Sequence, residues 1–234
     1  MTADPAFPPR AAGVILPSSN RVVERATEAR LAGHPDVAAC YARVPYGRMV
    51  AGAGYDATVF AAAADLLAEA GVAAMVWNAT RGAALGFAPD ETLCAALARR
   101  TGIPVATTAL AARDRLRRDG LARIGLIVQG DEAEARLVAG RFAAEGIRTT
   151  AAVSLGIGEN RLAAFVPRTR LLAAARDCTA DGGVDAVLVW STNLPGWTLP
   201  AALDGVPVLD AASLGTEAVL DLVRESGGSP GPER

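Results

Sequence analysis

Four short polar segments carry the side chains of this sequence that could do chemistry. They are residues 17–20 and 78–82 in the first part of the chain and residues 129–132 and 190–194 in the second part. Their hydroxyls and amides, together with the guanidinium of Arg81, can bind a carboxylate and stabilise the negative charge of an enolate. The segments therefore predict a pocket for a small carboxylic acid.

Thiol, imidazole and metal chemistry have little support in the sequence. The three cysteines, Cys40, Cys94 and Cys178, are widely spaced and match neither a disulfide framework nor a zinc ligand set. The only histidine, His34, lies in a Gly-His-Pro turn, which disfavours a histidine-based catalytic triad. We therefore expect no metal and no cofactor.

Composition limits the partners that the chain could take. A content of 51% hydrophobic residues in 234 residues predicts a large core. The net charge is -2, with basic and acidic residues scattered, so we expect neither nucleic acid nor a membrane as partner. The sequence has no apolar run of about 20 residues, and its first ten residues do not resemble a signal peptide. The expected partner is a small-molecule carboxylate and the expected compartment is the cytoplasm.

Short Val- and Ile-rich runs alternate with Ala-rich helical stretches, a pattern typical of an α/β protein with parallel sheets covered on both faces. The strands are predicted near residues 12–16, 37–44, 73–77, 105–107, 123–128, 149–155, 186–190 and 206–209. The helices are predicted near residues 20–32, 55–70, 90–101, 110–118, 132–145, 168–180 and 214–224.

An internal repeat divides the chain. Gly13 matches Gly125, because both precede short aliphatic runs, and 125 − 13 = 112; Gly71 matches Gly183, and 183 − 71 is again 112. The repeat predicts two similar Rossmann-like αβα halves, residues 10–113 and 114–225, related by a pseudo-twofold, and it allows part of the C-terminal segment to pack on the first half. Residues 226–234 are rich in Pro and Gly and are predicted to be a disordered tail.

The repeat also predicts where the polar segments lie. Each follows a predicted strand, and ligands of parallel sheets bind at the carboxyl ends of the strands. Under the 112-residue offset, residues 17–20 correspond to residues 129–132, and residues 78–82 to residues 190–194. We therefore expect one active site between the two halves.

At these residues the chain resembles the maleate isomerase and arylmalonate decarboxylase branch of the aspartate/glutamate racemase superfamily. Residues 17–20 with Glu24 resemble the branch's Pro-Ser-Ser-Asn-x-x-x-Glu entry, and residues 191–194 resemble its Cys-Thr-Asn-Leu run. Thr80, Gly82 and residues 102–104 follow the order of its first catalytic loop. The resemblance covers residues 10–223 and implies a homo-oligomer.

The departures from the branch concern its reactive residues. At the positions of its two cysteines this chain has Ala79 and Ser191, which are equivalent in the repeat because 191 − 79 = 112. Its usual tyrosine after the first strand of the second half is replaced by Gly130 in a gapless alignment. A serine hydroxyl is a far weaker acid than a thiol, so chemistry with two thiols is not expected.

The resemblance and the departures together predict a cysteine-independent enzyme that acts on a small carboxylic or dicarboxylic acid through an enolate-like intermediate, as a decarboxylase or another lyase. One alternative is a pseudoenzyme that binds a carboxylate without turning it over. Another is an isomerase, racemase or hydrolase with a different base, such as Asp131 or Glu132. The predicted catalytic residues are Ser191 and Thr80. The predicted substrate-binding residues are Pro17, Ser18, Ser19, Asn20, Asn78, Ala79, Arg81, Gly82, Gly130, Thr192 and Asn193.

Overall fold

The structure is a computed structural model that describes residues 10–226. The tail predicted for residues 226–234 lies outside the described residues apart from Ser226, which is the last residue of a helix and not part of a tail. Within the described part of the chain, no helix is both long and apolar enough to cross a bilayer.

The first half follows the predicted alternation of strands and helices. Its elements are β1 (Arg10–Pro17), α1 (Val23–Leu31), β2 (Val37–Val44), β3 (Val50–Ala51), β4 (Gly54–Tyr55), α2 (Ala57–Glu69), β5 (Ala74–Trp77), α3 (Arg81–Leu85), α4 (Ala88–Thr101), β6 (Val105–Thr107) and α5 (Thr108–Arg118). Tyr55 was predicted in a helix but lies in the short β3–β4 hairpin, and Asp56 then accepts a hydrogen bond from the N–H of Thr58 at the start of α2.

The second half has the same alternation. Its elements are β7 (Arg123–Val128), α6 (Glu132–Ala144), β8 (Arg148–Ser154), α7 (Asn160–Ala163), α8 (Arg168–Thr179), β9 (Ala186–Trp190), β10 (Ala202–Leu203), β11 (Val206–Asp210) and α9 (Ala211–Ser226).

The two sheets have the same strand order, which confirms the predicted fold of two similar α/β halves. The first sheet runs β2-β1-β5-β6 and the second β8-β7-β9-β11, with β10 added at the edge of the second. All of these pairings are parallel except that of β10 with β11. The residues of β5 and β9 are buried throughout, as expected for central strands covered on both faces.

The repeated glycines permit close packing between a central strand and a helix. A Cβ on Gly125 in β7 would stand 2.6 Å from the Cβ of Cys178 in α8. At the equivalent Gly13 in β1, a Cβ would stand 3.1 Å from the side chains of Leu67 and Val72. Both positions therefore favour glycine for the same reason, which is a helix or loop lying against the strand at short range.

The last helix of each half packs on the sheet of the other half. Ala109, Ala112 and Leu116 of α5 lie in the core of the second sheet, with strands β7 and β9. Ala212 and Val219 of α9 lie in the core of the first sheet, with β1 and β5. The boundary predicted between residues 113 and 114 thus falls inside α5, and the exchange of helices joins the halves into one body.

Candidate active site

A cavity of about 560 Å³ lies between the two halves, at the carboxyl ends of β1, β5, β7 and β9. Parallel strands that end together leave loops and side chains around one opening, which explains the location. All four polar segments reach it. The residues of the predicted site that line it are Pro17, Asn20, Ala79, Thr80, Arg81, Gly130, Ser191 and Thr192.

Four residues predicted to bind substrate support the cavity and do not line it. Ser18 Oγ accepts a hydrogen bond from the Tyr46 N–H at 3.1 Å, and Ser19 Oγ accepts one from Asn160 Nδ2 at 2.8 Å. The hydroxyls of Ser18 and Ser19 therefore hold neighbouring loops in place. Asn78 and Asn193, the other two, are almost fully buried. Gly82 follows Arg81 within α3.

Asn78 connects three elements beneath the cavity. Its Nδ2 donates to the carbonyl oxygen of Ala212 at 3.0 Å, and its Oδ1 accepts from Thr108 Oγ1 at 3.0 Å. Because Ala212 and Thr108 begin the two exchanged helices α9 and α5, Asn78 fixes both beside β5. The side chain has both its amide atoms engaged by the protein.

Hydrogen bonds between the halves cross the cavity floor. Asn20 Nδ2 donates to the carbonyl oxygen and to Oγ1 of Thr192, each at 3.2 Å. In return, Asn193 Oδ1 accepts from the Arg21 N–H at 2.8 Å. Asn20 Oδ1 accepts from the N–H groups of Val22 and Val23, so Asn20 also organises the start of α1. These hydrogen bonds therefore fix the positions of the two cavity walls relative to each other.

Ser191 lies at the end of β9 with its hydroxyl engaged. Its Oγ donates to Gln129 Oε1 at 2.9 Å and accepts from the Asn193 N–H at 3.2 Å. An amide oxygen is not a base, so Gln129 orients this hydroxyl without activating it. Ser191 is suited to donate a hydrogen bond and not to act as a nucleophile.

Thr80 and Arg81 stand on the opposite wall, after β5. Thr80 precedes α3, and its side chain makes no capping hydrogen bond to that helix, which leaves the hydroxyl at the cavity surface. Arg81 is exposed and brings a positive charge to the cavity wall. Ala79, which precedes them, is buried and offers only a methyl group. Thr80 and Arg81 can therefore bind an anion, but neither they nor Ala79 transfers a proton readily.

Glu134 is a cavity residue that the sequence analysis missed. It lies in the first turn of α6, half-buried, and its carboxylate occupies the space beside Gly130 where a side chain at that position would stand. Burial raises the pKa of Glu134, a hydrogen bond to the Gly130 backbone lowers it, Asp131 raises it and Arg81 lowers it. The Asp-x-x-Glu spacing from Asp131 to Glu134, which resembles a helix capping box, is the sequence signal that could have drawn attention to it.

The two residues considered as alternative bases are placed differently. Asp131 Oδ1 accepts a hydrogen bond from the Glu134 N–H at 3.0 Å and so caps α6. Glu132 has a side chain that is 84% exposed and points to solvent beside Arg136. Of the three acidic residues at the start of α6, Glu134 is thus the half-buried one.

Among the described residues, none of the three cysteines lines the cavity. Cys178 packs in the core of the second half, where burial raises the pKa of its thiol to about 11. Cys94 lies in α4, where burial raises the pKa of its thiol to about 12. Cys40 lies in β2, at the edge of the first sheet. Cys94 and Cys178 are therefore placed and protonated as core residues.

No protein-family model and no curated protein sequence matches this chain, whereas solved structures match it along most of its length. A cysteine-to-serine variant of the maleate cis-trans isomerase of Nocardia farcinica, with a covalently bound succinylcysteine intermediate, superposes with a TM-score of 0.79 at 22% identity, covering 92% of this chain and 93% of that chain. For the maleate isomerase Iso of Pseudomonas putida S16, the TM-score is 0.76 at 21% identity, and 92% and 93% are covered.

An unliganded arylmalonate decarboxylase gives a TM-score of 0.77 at 23% identity, with 94% of each chain covered. The resemblance to the maleate isomerase and arylmalonate decarboxylase branch is therefore confirmed at the level of the fold. Because one fold supports many activities, the reaction has to be argued from the side chains of the cavity.

Proposed function

We propose that this protein is a cysteine-independent enzyme that acts on a small carboxylic or dicarboxylic acid through an enolate-like intermediate, and that it catalyses a decarboxylation or another lyase reaction. The observation that carries the proposal is the composition of the cavity. Arg81, Thr80 and Ser191 surround it with a positive charge and hydroxyls, and no cysteine is among its described lining residues.

The substrate class is supported by the guanidinium of Arg81, by the hydroxyls of the cavity and by its size, although Asp131 and Glu134 also line it. A guanidinium can bind a carboxylate through two hydrogen bonds, and hydroxyls on the facing wall can bind a second carboxylate. A volume of about 560 Å³ suits a molecule of modest size that carries an apolar group besides its carboxylates. Met49, Leu137 and Trp190 supply apolar lining for such a group.

A lyase reaction is supported by the side chains at the two positions that resemble the branch's cysteines. In the Nocardia farcinica isomerase, a cysteine carries a covalent succinyl intermediate. At the two positions that resemble the branch's cysteines, this chain has Ala79 and Ser191. The methyl group of Ala79 is chemically inert, and the hydroxyl of Ser191 donates a hydrogen bond to the side-chain amide oxygen of Gln129. Decarboxylation needs no covalent adduct, because the electrons of the broken carbon–carbon bond are stabilised as an enolate by hydrogen-bond donors and positive charge.

The direct test is to incubate the purified protein with maleate, aspartate, glutamate, hydantoins and substituted malonates while following carbon dioxide release and proton NMR. We expect carbon dioxide from a malonate. Thr80→Ala and Ser191→Ala should each lower turnover, by about 10-fold or more, without lowering the unfolding temperature substantially. Thr92→Ala is the matched control, since the Thr92 hydroxyl bonds only to its own helix.

A second candidate function is carboxylate binding without turnover. It is favoured by the hydrogen bond from Ser191 Oγ to Gln129 Oε1, because an amide oxygen does not deprotonate the hydroxyl. Stabilisation of the protein by malonates or maleate with no product from any compound would support this candidate and contradict the enzymatic proposal.

We also propose, from the resemblance, that the protein forms a homo-oligomer. From its composition and charge, we propose that it works in the cytoplasm, with a small carboxylate as its partner and neither nucleic acid nor a membrane. Light scattering of the purified protein tests the first of these. A monomer at micromolar concentration would contradict it.

A further inference from the structure

We propose that Glu134 is the proton donor of this enzyme, the group that protonates the substrate carbon in place of a thiol. The inference rests on the proposed function and adds the identity of the reacting acid. It is drawn from the position of the Glu134 carboxyl group in the cavity and from the lack of a side chain at Gly130.

Gly130 makes room for the Glu134 carboxyl group. A Cβ at residue 130 would stand 3.2 Å from Glu134 Cδ and would overlap Oε2, so any other residue there would displace the carboxyl group. Gly130 does not have a positive φ, which means that the backbone itself does not require glycine at this position. The close approach of Glu134 gives a physical reason for glycine at this point of the cavity wall.

The surroundings of Glu134 suit a proton donor. The carboxyl group is half-buried, and burial is the largest of the influences on its pKa, raising it. Partial desolvation brings the pKa of a carboxyl group closer to the operating pH, where it can both donate and recover a proton. Arg81 on the facing wall acts in the opposite direction and keeps the carboxylate form accessible after the proton has left.

Other candidate donors on the described cavity wall are less suitable. The hydroxyl of Ser191 donates a hydrogen bond to Gln129 Oε1. Asp131 accepts a hydrogen bond from the Glu134 N–H and so caps α6. Tyr46 also lines the cavity, but it is 42% exposed, whereas Glu134 is half-buried. The remaining charged group on the described wall is Arg81, and a guanidinium serves to bind an anion.

The step balances with the substrate and water alone. The carbon–carbon bond to one carboxylate breaks, carbon dioxide leaves, and the electron pair of that bond is delocalised over the remaining carboxylate as an enolate. The Glu134 carboxyl group then transfers its proton to the carbon, which forms the carbon–hydrogen bond and leaves Glu134 as a carboxylate. A proton from water restores the acid, and nothing is oxidised or reduced.

The experiment compares Glu134→Gln with wild type and with Glu132→Gln, a control two residues away whose side chain is 84% exposed. The substrate is a malonate with two different groups on its central carbon, so that protonation creates a chiral acid. We measure kcat and the enantiomeric excess of the product. In a parallel reaction, the monocarboxylic product is incubated in heavy water, and exchange of its α-proton is followed by NMR.

We expect Glu134→Gln to lower kcat by about 100-fold or more and to abolish α-proton exchange. Any residual product should be close to racemic, because water then protonates the enolate from either face. Glu132→Gln should match wild type in all three measurements. Turnover by Glu134→Gln with unchanged kcat and enantiomeric excess would overturn the inference and leave the proposed function standing. A wild-type protein that neither releases carbon dioxide nor exchanges the α-proton would overturn both.

Discussion

Replacing Gly130 by Ala tests the role of the Glu134 carboxyl group without touching its chemistry. The new Cβ would overlap Oε2 and stand 3.2 Å from Cδ, which is tighter than ordinary van der Waals contact. Because Glu134 has rotatable bonds, the side chain can yield while the backbone stays in place. We therefore expect the variant to fold with Glu134 intact but displaced.

The expected size of the effect follows from these contacts. Carbon and oxygen atoms that now overlap must separate to roughly 3.5 Å, so the carboxyl oxygen moves by about 1 Å or more. A misplacement of about 1 Å can lower the rate of a positioned reaction by about 100-fold. The unfolding free energy should change by less than about 1 kcal/mol, since Gly→Ala at a compatible φ is mildly stabilising and the displaced carboxyl group offsets part of the gain.

The assay is steady-state decarboxylation together with urea unfolding, and Gly140→Ala is the matched control. Gly140 lies on the exposed side of α6, and a Cβ there would meet nothing within 4 Å. The control should gain up to about 1 kcal/mol of stability from helix propensity and keep wild-type turnover. A Gly130→Ala protein with wild-type kcat would refute the reasoning that glycine is required here to place Glu134.

Two further predictions concern buried positions that do not line the cavity. Burial raises the pKa of Asp90 to about 6, so the folded state binds a proton more tightly than the unfolded state, and stability falls as the pH rises from about 4 through 6. Asp90→Asn should therefore be more stable than wild type at pH 8 by about 3 kcal/mol and similar at pH 3, by urea unfolding; a larger gain at low pH would contradict this. Gly215→Ala would bring a Cβ within 2.8 Å of Asn78 Cγ and Nδ2. It should lose about 1–3 kcal/mol in the same assay, and a stabilised variant would show that Asn78 is free to move.

Most strands could be predicted from sequence because they are short aliphatic runs between polar residues and glycines. The central strands β7 and β9 have the predicted bounds, because short Val- and Ile-rich runs between polar residues suit a buried parallel strand. The edge strands β2 and β6 also have the predicted bounds, although they are only partly buried. Helix starts were less accurate. α5 begins two residues before the predicted Leu110, because the side chain of Thr107 accepts a hydrogen bond from the Leu110 N–H. Likewise α9 begins at Ala211, where Asp210 accepts from the Ser213 N–H.

The location of the cavity could be predicted, but the acid within it could not. The 112-residue repeat placed all four polar segments at strand ends, and each of them reaches the cavity. Glu134 was missed because its place beside Gly130 depends on where the first turn of α6 points, which spacing alone does not give. Of the neighbours considered instead, Asp131 caps the helix and Glu132 faces solvent, although the three residues are close in sequence.

The two halves are similar in fold but bring different side chains to the cavity. This difference bears on which reaction the cavity can support. The 112-residue sequence offset maps Glu134 onto residue 134 − 112 = 22, which is Val22, a buried aliphatic side chain just before α1 that packs in the core of the first half. A racemase of the two-base kind needs a proton-transferring group on each face of the substrate carbon. Glu134 lies on one wall of the cavity, and Ala79 on the other wall offers only a methyl group. If Glu134 is the proton donor, as proposed, the carbon receives its proton from one face. A lyase that forms one enantiomer requires no more than that, and this is the physical reason to prefer a decarboxylation over a racemisation.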